Sequence, residues 1–310
     1  MAGMGTAVEV SGLRKQYGAT LAVADVSFRV DEGEIFGLLG PNGSGKTTTV
    51  ECVQGLRRAD DGRISVFGLD PGRDTSRVRR IVGTQLQDSA LPDRLRVAEA
   101  LRLFSAISPG GPPWRQLLDE WGLATQRNTA FGDLSGGQQQ RLFVALALVA
   151  DPKLVVLDEM TTGLDPAARR VAWDLVDAVR ARGTTVLLVT HFMDEAQRLC
   201  DRLAVVVRGT VIARGTAAEL ISSQLHDHVV HFTVPPSTDV TFLSRVRGVS
   251  GVDAEGGAVR VHGSGPLLAR VAHALVERGL EPDDLTVETP TLEDAYLALT
   301  TAGTGAEGGP

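Results

Sequence analysis

Apolar residues recur along this chain in two rhythms, and the switches between them mark its elements. From Val8 to Phe36 the text reads as short strands, "AVEVSGL", "LAVADVSFRV" and "EIFGLLG", with Gly33 in "DEGE" as a turn between the last two. A helix is expected from about Thr47 to Leu56, then a turn at "ADDG", a strand "RISVFG" and a turn at "DPGR". Between Val97 and Trp121 the spacing is helical, interrupted by "SPGGPPW", which no helix interior tolerates. Helical spacing resumes after "LSGGQ". "KLVVLDE" and "TTVLLVTH" are continuous apolar runs of strand length, each after a helix-like segment. Strands buried on both faces and alternating with helices predict a parallel α/β sheet.

Near Leu225 the rhythm changes. Strand "HVVHFTV", helix "TFLSRVRGV", hairpin "VDAEGGAVRVH", helix "PLLARVAHALVERG", strand "DLTVET" and helix "LEDAYLALT" follow in the βαββαβ order of ferredoxin-like units. The expected division is a first domain over residues 1–222, with a helical subdomain at about 88–140, and an accessory domain over 225–300. The Gly/Ala-rich tail over 301–310 is expected to be disordered.

Composition narrows the functional classes. The net charge of −7 argues against a broad nucleic-acid footprint, so no nucleic-acid partner is expected. Cys52 and Cys200 are too few for a disulfide framework and suit a reducing compartment. No signal peptide is visible, and no apolar run approaches the roughly 20 residues needed to cross a bilayer. Lys15, Lys46 and Lys153 are the only lysines in an arginine-rich chain, which makes the placing of Lys46 conspicuous.

Gly40, Pro41, Asn42, Gly43, Ser44, Gly45, Lys46 and Thr47 satisfy G-x-x-x-x-G-K-[ST] in full, with Thr48 following. Glycines let the backbone wrap an anion, and the helix after them adds the positive end of its dipole, worth about 0.3–2 kcal/mol. Lys46 is expected on the β- and γ-phosphates of a nucleoside triphosphate, and Thr47 on Mg²⁺. Asp158, ending the strand "LVVLD", is expected at the carboxyl edge of the sheet as a second Mg²⁺ ligand, through water. Glu159 follows as the expected general base toward water. The His-rich "LHDHVVHF" spreads His226 and His228 on one strand face and His231 on the other, which suits a solvated strand better than a metal site.

A second glycine turn, Ser135-Gly136-Gly137-Gln138, opens the helix "QQRLFVALALVA". Ser135 can cap that helix, but a cap needs neither the two glycines nor the glutamine. Backbone N–H groups and a helix dipole there suit an anion.

Together, Gly40–Thr47, "LSGGQQQR", "LVVLDE", "TTGLDP" and "VTHFMDEA" resemble, in order and spacing, the ATP-binding cassette ATPases, over roughly residues 8–220. The resemblance implies that two cassettes close head to tail on two ATP molecules, with Ser135–Gln138 meeting the γ-phosphate held by the opposite copy. Tyr17 matches the aromatic that stacks on adenine. Gln87 matches the glutamine that contacts Mg²⁺ and the attacking water, with Gln85 two places away as a second candidate register. Asp165 in "GLDP" matches the aspartate that crosses the dimer interface, and His191 matches the switch histidine. Met160 departs from the family, which usually has proline after the glutamate.

"THFMDEAQRLCDRLAVVVRG" and "TPTLEDAYLAL" further resemble drug-exporter cassettes of the daunorubicin-resistance type. That implies an ATPase subunit, homodimeric, at the cytoplasmic face of the membrane beneath a separate integral membrane subunit, exporting a lipophilic small molecule. The helical insert would receive the membrane subunit. A cassette acting on DNA or ribosomes would want a long coiled-coil insert or a second cassette, and a GTPase would want N-K-x-D; none is present.

Overall fold

The computed structural model describes residues 5–85, 90–224 and 228–302. They divide between Ala217 and Ala218 into two compact units.

The first unit opens with β1 (Thr6–Tyr17) and β2 (Thr20–Asp31), an antiparallel hairpin that turns at Gly18. Next come β3 (Ile35–Leu39), α1 (Lys46–Val53), β4 (Asp61–Val66), α2 (Thr75–Ile81) and β5 (Val82–Gln85). The proline-broken insert forms α3 (Val97–Ile107) and α4 (Trp114–Glu120), separated where "SPGGPPW" forbids a helix. There follow α5 (Gly136–Ala147), β6 (Leu154–Asp158), α6 (Pro166–Ala181), β7 (Thr185–Thr190), α7 (Met193–Leu199), β8 (Arg202–Val207), β9 (Thr210–Gly215) and α8 (Ala217–Gln224), the last straddling the division.

One sheet runs β4-β1-β2-β9-β8-β3-β7-β6-β5, with β8-β3-β7-β6-β5 parallel throughout. Every residue of β3, β6 and β7 is buried. Alternate side chains serve two different cores: Val155, Leu157, Val186 and Leu188 enter one cluster, while Leu154, Val156, Leu187 and Val189 enter the other. A strand with both faces occupied cannot alternate polar with apolar, which is why these runs read as continuous.

Register then aligns the chemistry. Leu39 pairs with Thr190, and Asp158 pairs with Val189. The loop after β3, the acidic end of β6 and the exit of β7 therefore share one edge, the carboxyl end of the parallel strands, where open α/β sheets bind ligands.

The second unit contains β10 (His228–Thr233), β11 (Val249–Glu255), β12 (Ala258–Gly263), α9 (Leu267–Val276), β13 (Thr286–Glu288) and α10 (Leu292–Ala302). Its antiparallel sheet runs β11-β12-β10-β13, the ferredoxin-like order. Val230, Phe232, Val259 and Val261 point into a core closed by Leu267, Val271 and Leu275 of α9. The expected helix "TFLSRVRGV" is a short 3₁₀ turn instead, Thr241–Arg245. Gly248 in the left-handed region (φ 95), its carbonyl taken by Ser264 N, ends the segment before a second turn can repay helix nucleation. His228 and His231 do lie on opposite faces of β10, His231 pairing with Glu288 at 2.9 Å; His226 lies outside the described residues, as does most of the tail. Among the described residues no cluster of His, Cys, Asp and Glu could hold a metal ion.

Gly83 on β5 tests the packing of the parallel sheet. A Cβ there would collide with the Ala147 carbonyl oxygen, backbone at the end of α5 that cannot turn aside. Gly83→Ala is expected to lower unfolding free energy by about 1–3 kcal/mol in urea titrations. Unchanged stability would show that α5 can move off the strand.

Candidate functional site

The loop Gly40–Gly45 leaves β3 from the centre of the sheet and delivers the chain into α1. Its glycines are needed by the fold as well as by any ligand. A Cβ at Gly40 would strike the Val206 carbonyl oxygen, and one at Gly45 the Ala22 carbonyl oxygen. Gly43 and Gly45 also adopt left-handed φ values, 77 and 98. Ser44 is buried, its hydroxyl without a hydrogen-bond partner. The result is a tight, concave backbone turn closed against β2 and β8.

Lys46, the first residue of α1, is only 4% exposed. Its ammonium folds back over the loop, donating to Gly40 O at 2.8 Å and Pro41 O at 3.0 Å, with Glu159 Oε1 at 3.9 Å. Burial lowers its pKa, and the carboxylates of Glu159 and Asp158 oppose that shift. A cation taken from water with only carbonyls and a distant carboxylate for company is poised to accept stronger anionic ligands.

Asp158 ends β6 and is 1% exposed. Neither of its carboxylate oxygens meets a donor in good hydrogen-bond geometry. Burial, then the neighbouring charge of Glu159, push its pKa up to about 6, while the nearby Thr47 hydroxyl and the Lys46 ammonium act the other way. A buried carboxylate left unsatisfied beside a threonine hydroxyl is a donor set that fits a hard divalent cation.

Glu159 is held in the left-handed region at φ 50, a conformation that costs a non-glycine residue about 1–2 kcal/mol. Two hydrogen bonds fix it: Glu159 N donates to Val189 O at 2.9 Å, extending the β6–β7 ladder, and Thr162 N donates to Glu159 O at 3.1 Å. The side chain is aimed at the same edge as Lys46, with His191 Nδ1 3.3 Å from Oε1. Met160, where the family usually has proline, is buried in the first core cluster.

Lys46, the adjacent Asp158 and Glu159, and His191 thus form one cluster of ionisable groups from three sequence-distant points. Tyr17 sits at the tip of the β1–β2 hairpin, 40% exposed, on the strand pair whose Ala22 closes the phosphate loop. Gln87 lies outside the described residues, and Gln85 is buried at the end of β5 with Oε1 unpartnered.

Ser135–Gln138 is not part of this cluster. Among the described residues no hydrogen bond joins it to the phosphate loop. Ser135 Oγ accepts from Gln138 N at 3.4 Å, and Gln138 Oε1 accepts from Ser135 N at 3.0 Å, a capping box on α5. The glutamine therefore does serve the cap, contrary to the sequence reading, because a glutamine three residues beyond a capping serine reaches back to its N–H. The glycines stay unexplained by the fold. A Cβ at Gly137 meets nothing within 4 Å, and one at Gly136 makes only an ordinary contact with Leu164 at 3.7 Å. Asp165 likewise faces outward and caps α6, accepting from Ala167 N at 2.8 Å and Ala168 N at 2.9 Å.

Sequence reasoning passed over a second group behind His191. Glu195 in α7 is wholly buried and accepts from the Trp173 indole at 3.2 Å, and Arg169 pairs with Asp194 at 3.2 Å. A glutamate on a short helix otherwise rich in polar residues gives no local sign that it is internal.

A family model described as ABC transporter matches residues 23–162. The chain is 36% identical over 301 residues to Nod factor export ATP-binding protein I of Rhizobium sp. (strain N33), covering 95% of this chain and 97% of that relative. It is 37% identical over 311 residues to Daunorubicin resistance ATP-binding protein DrrA3 of Streptomyces coeruleorubidus, covering 95% and 96%. Among solved structures, an ATP-binding subunit of an ABC transporter matches with a TM-score of 0.63 at 30% identity, over 70% of this chain and 93% of that one. A cassette of an ABC transporter in its ADP conformation matches with a TM-score of 0.64 at 26% identity, over 71% and 94%. With a full phosphate loop facing a buried acidic pair, and relatives matched from end to end, the chain belongs to the ABC transporter family as an ATP-binding, ATP-hydrolysing cassette.

Proposed function

We propose that this cassette hydrolyses MgATP between two copies of itself and so drives a separate membrane subunit that exports a small lipophilic compound. The observation that carries the two-copy reading is the pair Gly136–Gly137. The fold leaves room for side chains at both positions, yet glycine stands there at the N-terminus of a 12-residue helix. Close approach of an external anion explains glycine where internal packing does not. Asp165, also outward and at a helix start, is assigned to the same interface.

Within one site, Gly40–Thr47 with Thr48 cradles the triphosphate, and Lys46 meets its β- and γ-phosphates. Tyr17 offers an exposed ring to adenine. Thr47 and Asp158, with Gln87, would hold Mg²⁺, which supplies neutralisation of charge shared by the β- and γ-oxygens. Glu159 accepts the proton of a water that attacks the γ-phosphorus in line, and His191 stabilises charge on the γ-oxygens. The contact between His191 and Glu159 keeps the histidine at the reacting edge. Ser135, Gly136, Gly137 and Gln138 of the other copy close over the same phosphate.

The export reading draws on relatives named for daunorubicin resistance and Nod factor export. No helix among the described residues is long and apolar enough to cross a membrane, and the proposed transport path is assigned to a separate membrane subunit. On α3, Leu103 is 51% and Ile107 67% exposed, one helical turn apart, an apolar stripe suited to a helix of the membrane subunit. On this reading the cassette works at the cytoplasmic face of the membrane, with residues 1–222 as the motor and 225–300 as a dimer-stabilising or regulatory domain.

Glu159→Gln removes the proton acceptor while keeping the shape of the site. Hydrolysis of labelled ATP should fall by about 10²–10⁴-fold, and the variant should elute as a nucleotide-bound dimer with MgATP. Unimpaired hydrolysis would take Glu159 out of the role. In cell fractionation, the chain should sediment with membranes when its membrane subunit is co-expressed and stay in the supernatant without it. Equal distribution in both cases would contradict the transport reading.

A further inference from the structure

We infer that Arg169 and Trp173, one turn apart on α6, form a clamp with Phe192, Asp194 and Glu195 that positions His191 for hydrolysis. The inference rests on the proposed role of His191.

His191 leaves the end of β7 and enters α7 through Phe192, and that entry is weak by itself. Phe192 is the cap residue of α7 and offers no side-chain hydrogen bond. α7 has seven residues, too few to hold its own conformation without tertiary contacts. α7 packs on β3, β7 and α6, and the polar and ring contacts come from one face of α6. The Arg169 guanidinium stacks 4.3 Å from the Phe192 ring centroid and pairs with Asp194 Oδ2 at 3.2 Å. One turn further on, the Trp173 indole N–H donates to Glu195 Oε1 at 3.2 Å.

Phe192 transmits the hold to the histidine. The two rings lie 4.1 Å apart between centroids, tilted by 39°, and Phe192 N is tied back to Thr190 Oγ1 at 3.0 Å. Glu195 anchors the whole group from below. It is 0% exposed, and the hydroxyls of Thr190 and Thr161 lie close enough to stabilise its charge against the burial that raises its pKa. Thr190 immediately precedes His191, and Thr161 stands two residues after Glu159. One buried carboxylate therefore lies beside the segments that carry both members of the His191–Glu159 pair, its Oε1 fixed by the indole. A buried polar group is expensive unless its partners are fixed. That expense makes Glu195 a rigid reference point rather than a filler of space.

The Arg169–Asp194 pair is partly exposed, with side-chain exposures of 24% and 57%, so its worth to global stability is small. Its effect should appear in catalysis, because a small misplacement of a positioned group is felt in the rate.

The test is steady-state ATP hydrolysis by the full chain, comparing Trp173→Phe, Arg169→Ala and Glu195→Gln in the native and His191→Ala backgrounds. Trp173→Phe keeps the apolar body and deletes the N–H. Arg169→Ala alters a partly exposed position and guards against misfolding, checked by melting temperature. Each should lower kcat by about tenfold with KM for ATP within about twofold. Glu195→Gln exchanges the buried carboxylate for an amide with one accepting oxygen and should lower kcat in the same way. In the His191→Ala background, Trp173→Phe and Arg169→Ala should cause no further loss. Equal fold-losses in both backgrounds, or a raised KM at unchanged kcat, would overturn the clamp while leaving the site reading intact. A native kcat for His191→Ala alone would remove the histidine's role, and the clamp's with it.

Discussion

An ammonium group held out of water by two backbone carbonyls is the contact around which the rest is arranged. Lys46 is almost inaccessible, and burial disfavours its charge. The carbonyls of Gly40 and Pro41 hold it in place, and the carboxylates of Glu159 and Asp158 oppose that effect of burial. For those groups to meet, β3, β7 and β6 must lie in register with their carboxyl ends level, as the Leu39–Thr190 and Asp158–Val189 pairs place them. The parallel core is thus a device for presenting one cation and two carboxylates at a common edge.

Asymmetry at that edge explains its remaining features. One copy of the chain contributes the phosphate loop, the acidic pair and His191, all from strand ends that are internally braced. Ser135–Gln138 and Asp165 instead begin helices, with Ser135, Gly136 and Asp165 exposed, and their caps satisfy the chain without using up every donor. In the proposed dimer, a site built this way is half-made in each molecule. On the proposed reading, the energy of ATP binding goes into joining copies before the chemical step, which is how nucleotide occupancy becomes mechanical work on a membrane subunit.

Much of this was legible in the residues because the strongest local signals coincide with the strongest physical demands. The phosphate loop needs glycine where the backbone passes Val206 and Ala22, so it is written as glycine. β6 and β7 need apolar side chains on both faces, so they read as unbroken runs. Legibility failed where a residue's partner is distant or its segment short. Thr241–Arg245 has helical composition but too little length before Gly248. Gln138 reads as a ligand and also works as a cap. Trp173 and Arg169 carry no motif, and Glu195 lies within "VTHFMDEA" with nothing to mark it as internal, because their meeting depends on how α6 packs on α7, which no spacing within either helix reveals.

Complementation between two inactive copies tests the shared site most directly. Lys46→Ala disables the phosphate loop and spares Ser135; Ser135→Arg blocks the outward turn and spares Lys46. Each alone should be nearly devoid of ATP hydrolysis, and mixing them should restore activity, since a mixed pair contains one site assembled from two intact halves. If the mixture stays as inactive as its components while both variants remain folded, the nucleotide is not shared between copies and the account is wrong.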